Sequence, residues 1–238
     1  MGRFSLNYLG FFLILISILS FFNIIYSYYF NIYLSTDAYI FTLLFSLIIG
    51  VLFLIKKKKD NKITIYEKIL IVIIGYIFLP FIISIPFYLS IYNISFLDCY
   101  FESISGFTST GFTIIENIMH LDESLILWRS TSQWIGGIYF LFSIVLLIDI
   151  FDNNLKKSLT NFISFDITET FQQYFKIFIL YTSLTFILFL VLNLINIRSF
   201  DAFNLSMTII SSGGFLSVNN IETIINTNFK EIIFSMLM

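Results

Sequence analysis

The sequence predicts an all-α membrane protein of repeated units, each with a spanning helix, a re-entrant pore loop and a second spanning helix. Two observations lead to this prediction: the composition of the chain, and a hydroxyl-rich glycine segment that occurs twice. Of the 238 residues, 58% are hydrophobic and only 12% are charged. A soluble domain keeps roughly a quarter of its residues charged, so lipid must solvate much of this chain. Backbone groups in lipid must be satisfied internally, and the continuous apolar runs indicate helices.

Apolar runs of about 20 residues, the length that crosses the hydrocarbon core as a helix, recur along the chain. They predict five spanning helices, at residues 8–30, 38–55, 66–92, 124–150 and 171–195. A sixth helix is expected to begin near Phe229. The roughly ten residues from there to Met238 are too few to cross a bilayer at 1.5 Å each. The sequence therefore predicts a chain that holds only part of a larger pore.

These elements divide the chain into four predicted regions. Residues 1–60 hold two N-terminal transmembrane helices, and residues 61–150 hold the first unit of helix, loop and helix. Residues 151–170 form a cytoplasmic linker, and residues 171–238 hold a second unit that is truncated in its last helix.

Lysines indicate the orientation of the chain in the membrane. They follow the second and fourth predicted helices, at Lys56, Lys57, Lys58, Lys59, Lys62, Lys68, Lys156 and Lys157. The positive-inside rule assigns these loops, and with them the N-terminus, to the cytoplasm of a multi-pass cell-membrane protein. Nine acidic and three basic residues then fall on the outer side. This excess either concentrates cations at an outer mouth or only reflects the depletion of outer lysine.

The most informative residues are two polar segments between apolar runs, 101–113 and 201–215. Each predicts a short helix, at about 97–107 and 200–210, followed by an extended Ser/Thr-Gly-Phe stretch. Backbone carbonyls can replace the water shell of a monovalent cation, and glycine allows the backbone angles that aim them inward. Extramembrane loops with ordinary glycine turns are the alternative. The repetition of the whole pattern favours re-entrant loops that line a cation path.

The motifs resemble a known family. Phe101-Glu-Ser-Ile-Ser-Gly-Phe-Thr-Ser-Thr-Gly-Phe112 and Leu127-Trp-Arg-Ser-Thr-Ser-Gln-Trp-Ile-Gly-Gly137 look like the first repeat of the Trk/Ktr potassium uptake proteins. Ile210-Ser-Ser-Gly-Gly-Phe215 is similar to the second-repeat filter, and Thr168-Glu-Thr also fits. Two additional N-terminal helices favour the Trk branch, of which this chain would be the N-terminal half. The resemblance implies a potassium-channel-like fold and K⁺ as the transported ion.

The resemblance also implies the residues of a selectivity filter. They are Ser109, Thr110, Gly111 and Phe112 in the first unit, and Ser212, Gly213, Gly214 and Phe215 in the second. The carbonyls of 109–111 and 212–214 would be the K⁺ ligands. Thr113 and Leu216 stand where a potassium channel has its final glycine, which leaves the preference for K⁺ over Na⁺ open. Three residues are expected to support the filter: Glu102, Arg129 and Gln133. Arg129 either reaches the interface or fixes the loop through its carbonyls.

Partners are likewise implied by the resemblance. We expect membrane lipid around the chain, a homodimer, and a cytosolic nucleotide-binding regulatory subunit, and we expect no nucleic acid. No nucleophile or metal-ligand constellation indicates an enzyme. Two strands cannot close a ring of carbonyls, so a non-conducting remnant or an assembly subunit is the alternative to a K⁺-conducting protein.

Overall fold

A computed structural model of the chain describes residues 7–55, 65–151, 170–225 and 227–237. These residues form eight α-helices and two short 3-10 turns, Ile118–His120 and Ile221–Thr223. The helices are α1 Asn7–Tyr29, α2 Thr36–Ile55, α3 Ile65–Ser90, α4 Phe96–Phe107, α5 Glu123–Phe151, α6 Thr170–Leu194, α7 Ser199–Ile210 and α8 Asn228–Leu237.

The predicted all-α fold is confirmed, because the described residues contain helices and turns but no β-strand. Five helices, α1, α2, α3, α5 and α6, are long and apolar enough to cross a membrane. Each of their ends lies within two residues of its predicted position, and α8 begins one residue before Phe229. Several predictions fall outside the described residues: they concern Lys56 to Lys59, Lys62, Lys156, Lys157, Thr168 and most of the 151–170 linker.

Helices α1 and α2 form an antiparallel pair in which small residues lie at the contact. A Cβ added to Gly10 would lie 3.0 Å from the carbonyl oxygen of Gly50. Glycine lets two helix backbones approach closely, which favours association in lipid, where apolar side chains gain little from contact. The pair also packs on the first unit, since the rings of Phe12 and Tyr139 lie 4.9 Å apart.

Helix α3 contains two prolines, Pro80 and Pro86. Side chains of other helices donate hydrogen bonds to α3 near both prolines. Proline has no N–H and disturbs the helix on its N-terminal side. The carbonyl three residues before each proline accepts a side-chain bond: Tyr100 donates to Ile77 (2.9 Å) and Trp128 donates to Ile83 (2.9 Å). These two bonds connect α3 to α4 and α5.

The buried apolar side chains form two clusters. The larger one joins helices α1 to α7 around Trp128, Tyr139 and Phe107, and Met207 is its residue from α7. The smaller one lies in the second unit and contains Leu192, Leu205 and Ile225. The first unit therefore shares its core with the N-terminal helices, whereas the half-helix of the second unit packs against both clusters.

The predicted repeat is visible in the backbone with a constant spacing of 103 residues. The half-helices α4 and α7 both have 12 residues. Left-handed residues precede and follow them at matching positions: Asn93 (φ 61°) and Asn196 (φ 60°), then Ser109 (φ 54°) and Ser212 (φ 53°). Asn117 and Asn220 then cap the two 3-10 turns. The two units thus match residue by residue from the turn before the half-helix to the 3-10 turn after it.

Candidate functional site

Two non-helical segments follow the half-helices, segment 1 at residues 108–114 and segment 2 at residues 211–217. Their first amides turn back to the last helical turn. The bonds run from Ser109 to Gly106 (2.9 Å) and Thr110 to Ser105 (2.9 Å), and from Ser212 to Ile209 (3.0 Å) and Gly213 to Thr208 (2.8 Å). The donors of both segments are thus directed back towards their half-helices.

The carbonyls of the predicted filter residues lack intramolecular partners. Within the described part of the chain, no hydrogen bond reaches the carbonyl oxygens of residues 109–111 or 212–214. In segment 2 the next two carbonyls do have donors, since Phe215 accepts from Thr208 (3.0 Å) and Leu216 from Arg129 (3.4 Å). In segment 1 the carbonyls of Phe112 and Thr113 have none among the described residues. A backbone carbonyl is an obligatory acceptor. Six oxygens therefore remain available to a ligand at the C-terminal ends of α4 and α7.

The two segments touch at their glycines. Gly111 has φ +78°, and a Cβ added to it would lie 2.6 Å from the Cα of Gly214. Only glycine adopts this conformation without strain, and here no side chain would fit in any case. Because the two glycine backbones are in contact, no ion fits between them. An ion bound by both segments would lie to one side of the pair.

A buried ion pair lies behind segment 1. Glu102 and Arg129 are each 1% exposed, and Arg129 Nε donates to Glu102 Oε1 over 2.9 Å. Glu102 also accepts from the Thr113 hydroxyl (2.9 and 3.1 Å) and from the Ile114 amide (3.1 Å). The carboxylate is therefore saturated, which a charge out of water requires.

The same arginine reaches segment 2. Arg129 donates to the Leu216 carbonyl, and its guanidinium lies 4.2 Å from the centre of the Phe215 ring. Phe215 is buried at 2% exposure, whereas Phe112 is 68% exposed. The two phenylalanines thus differ in packing.

Gln133, one turn after Arg129, contacts segment 2. In the amide orientation that satisfies both of its ends, the oxygen accepts from the amides of Gly214 and Phe215, each at 3.0 Å. The nitrogen then donates to Thr208 (3.2 Å). This orientation is assigned from the hydrogen-bond network. Gln133 thereby ties α5 of the first unit to the half-helix and segment of the second.

Small residues let α5 lie between the two units. A Cβ on Gly136 would lie 1.9 Å from the carbonyl oxygen of Phe107, at the end of α4. A Cβ on Gly137 would lie 2.3 Å from the Tyr181 hydroxyl and 3.1 Å from Ser211. Adjacent glycines therefore face different units, which explains why both occur in the motif that ends at residue 137.

The sequence did not indicate every residue of this arrangement. Thr113, Leu216 and Thr208 contact Glu102, Arg129 or Gln133, yet none of them was a candidate. The 103-residue spacing could have indicated Thr113 and Leu216, because it places them at equivalent positions of the two units. That difference in polarity marks the place where the two units are built differently.

The family described as "TrkH: Cation transport protein" matches residues 35–222 of this chain. That range is well over half of the sequence. The chain belongs to the TrkH family. Together with five apolar helices of spanning length, this membership makes it a multi-pass membrane protein. The resemblance to Trk-type uptake proteins is thereby confirmed.

Relatives with known names agree. An uncharacterized cation transporter of Methanocaldococcus jannaschii is 31% identical over 190 residues, which cover 76% of this chain and 38% of that protein. The Trk system potassium uptake protein TrkG of Escherichia coli is 30% identical over 83 residues, 34% of this chain and 17% of that protein. The crystal structure of the potassium transporter TrkH from Vibrio parahaemolyticus has a TM-score of 0.75 at 21% identity.

The TrkH structure of Vibrio is similar over 90% of this chain but over only 44% of its own length. At that identity the similarity establishes the fold. The chain thus spans less than half the length of the relatives it matches.

Proposed function

We propose that this TrkH-family chain contributes two filter segments to a pore that carries K⁺ inward across the cell membrane. The carbonyls of Ser109–Gly111 and Ser212–Gly214 are the K⁺ ligands in this proposal, with Phe112 and Phe215 ending the two filter signatures. The observation that carries it is the set of six carbonyl oxygens without intramolecular donors, in two segments that follow equivalent half-helices. Carbonyl dipoles replace the water of a cation without a countercharge that would trap it.

The half-helices add to this cation preference. Segment 1 follows the C-terminus of α4 and segment 2 follows that of α7. The negative end of a helix dipole lies at its C-terminus, worth about 0.3–1 kcal/mol for a nearby cation at an exposed site. Two such ends near the same glycine contact favour a cation over an anion. In a re-entrant arrangement, protein or water must cover this irregular backbone.

Glu102, Arg129 and Gln133 support the filter in this proposal. The positive charge of Arg129 lies close to a proposed cation path, and on its own it would oppose cations. Glu102 neutralises it at 2.9 Å, within a pair that is almost fully buried. Gln133 holds the amides of segment 2 without any charge.

Two segments in contact do not close a ring, so the proposal requires further filter segments from additional polypeptide or from another chain. We further propose a cytoplasmic N-terminus, a surrounding of membrane lipid, a homodimer and a cytosolic nucleotide-binding regulatory subunit. The outer entry of both segments follows from that orientation.

The proposal is tested with the complete reading frame that contains this chain, expressed in cells that lack their own K⁺ uptake. We expect growth at low K⁺ and uptake of the K⁺ substitute Rb⁺. Gly111→Asp should abolish both, because no side chain fits beside Gly214 and a fixed charge would trap the ion. Asn220→Asp, which adds the same charge at an exposed turn, is the matched control. Normal uptake by Gly111→Asp would count against the filter assignment.

A further inference from the structure

Thr113 follows the Gly-Phe of segment 1, and its hydroxyl uses its full hydrogen-bonding capacity. It donates to Glu102 and accepts from Arg129 Nη2 (3.1 Å) and from the amide of Ile115 (3.1 Å). A hydroxyl has one donor and two acceptor sites, so all three are occupied. This saturation makes the position of the outer end of segment 1 depend on one side chain.

The arginine at this hydroxyl also holds the other segment. Arg129 reaches Leu216 and stacks over Phe215. A continuous path of contacts therefore runs from segment 1 through Thr113 to Arg129 and on to segment 2. Charged groups form its centre, and hydrogen bonds to charged groups are the stronger kind.

The equivalent positions of the second unit cannot form such a path. At the 103-residue spacing, Thr113 and Glu102 correspond to Leu216 and Leu205. Leu205 and Leu216 belong to the smaller apolar cluster instead. Within the described residues, Asn219 also bonds Asn117 and Ile118 just beyond the segments, but the second unit has no hydroxyl and no acid at the positions of Thr113 and Glu102.

We propose that Thr113 is a positioning residue that sets ion selectivity by fixing the distance between the two filter segments through Arg129. The proposal rests on the proposed K⁺ function. Thr113 does not ligate the ion in this view; it acts through Glu102 and Arg129. Its place is the one at which a potassium channel has its final glycine.

The deciding variants are Thr113→Val, which keeps the shape and removes the hydroxyl, and Thr113→Ser, which keeps the hydroxyl. Thr113→Ala is a smaller second variant in case valine prevents folding. Thr182→Val is the matched control, because the Thr182 hydroxyl is exposed and bonds only its own helix at Phe178. Rb⁺ uptake and its inhibition by Na⁺ are measured for the complete transporter in cells.

We expect Thr113→Val and Thr113→Ala to lower the Rb⁺/Na⁺ preference about tenfold, the effect of losing a hydrogen bond to a charged group. Thr113→Ser keeps the hydroxyl, and Thr182→Val removes one that bonds only its own helix, so both should stay within about twofold of the parent. Unchanged preference in Thr113→Val, or a fall in total uptake with the preference unchanged, would overturn the proposal.

Amide hydrogen exchange in the purified protein separates this inference from the proposed function. Ile114 donates to Glu102 and Ile115 to Thr113, so Thr113→Val should speed exchange at both amides. If the parent takes up no Rb⁺, the K⁺ function fails, yet faster exchange would still support the connection through Thr113. Unaltered exchange would refute that connection whether or not the parent transports.

Discussion

Segments 1 and 2 have similar backbones, apart from the left-handed Gly111, but different side chains hold them in place. In segment 1, the acid Glu102 on the preceding half-helix accepts from Thr113 and Ile114. In segment 2, the half-helix carries Leu205 at that position, and the amides of Gly214 and Phe215 go to Gln133 of the other unit. The amides of segment 1 are thus held by an acid of its own half-helix, whereas those of segment 2 are held by a neighbouring helix, with further bonds from Thr208 and Asp201 of its own half-helix.

The difference shows that two segments of similar backbone can be stabilised by different side chains. Both segments must satisfy their amides, because unpaired N–H groups at buried positions are costly. A carboxylate can meet this need only if a cation compensates it, which explains why Glu102 and Arg129 occur together. Where the half-helix carries Leu205 instead of an acid, the neutral side-chain amide of Gln133 in α5 accepts from the backbone amides of segment 2, and no charge has to be buried for this purpose.

The largest effect should come from breaking the ion pair. Arg129→Met should cost about 3–5 kcal/mol of stability, because it leaves the Glu102 carboxylate buried without its partner. Thermal unfolding in detergent measures the loss. Arg198→Met, which removes the more exposed pair with Glu123, should cost at most about 1 kcal/mol. Equal losses in the two variants would show that the brace of segment 1 does not depend on its buried charge.

A smaller effect is expected at the brace of segment 2. Gln133→Leu leaves the amides of Gly214 and Phe215 without an acceptor, at a cost of about 1–3 kcal/mol for each buried group left unpaired. Hydrogen exchange should quicken at these two amides. The amides of Thr110 and Gly111 bond to Ser105 instead and should keep their protection. Faster exchange in both segments would mean that the two braces are not independent.

The smallest difference should separate the two touching glycines. Gly111→Ala must hold a left-handed residue, at a cost of about 1–2 kcal/mol that Gly214→Ala does not incur. The added methyl also meets the backbone at 2.6 Å in the first case and at 3.1 Å in the second. Unfolding midpoints and Rb⁺ uptake of the two variants give the comparison. A milder outcome for Gly111→Ala would contradict the geometry of segment 1.

The helices could be predicted from the sequence because apolar runs and their polar interruptions mark them directly. The end of α3 is instructive: the sequence predicts residue 92, but the helix ends at Ser90, since Asn93 takes a left-handed conformation (φ 61°). Apolarity continues past the end of the helix at this point, so hydrophobic length alone overestimates it.

The candidate site was only partly predictable. The repeated Gly-Phe motif indicates the two segments, and helical spacing places Arg129 and Gln133 on one face. Arg129 was expected either to reach the interface or to bond carbonyls of its own loop, whereas its carbonyl partner is Leu216 of the other unit. The partner of Gln133 also lies in that unit. Contacts between segments about a hundred residues apart depend on packing, which local sequence patterns do not encode.

The constant 103-residue spacing means that the two half-helix segments have diverged by substitution alone. Between Asn93 and the 3-10 turn, and between Asn196 and its counterpart, neither unit has gained or lost a residue relative to the other. Within this range the two units therefore differ in chemistry but not in length, as Glu102 and Leu205 show. A functional difference between the two segments would consequently arise from side chains such as Thr113 and from the left-handed Gly111.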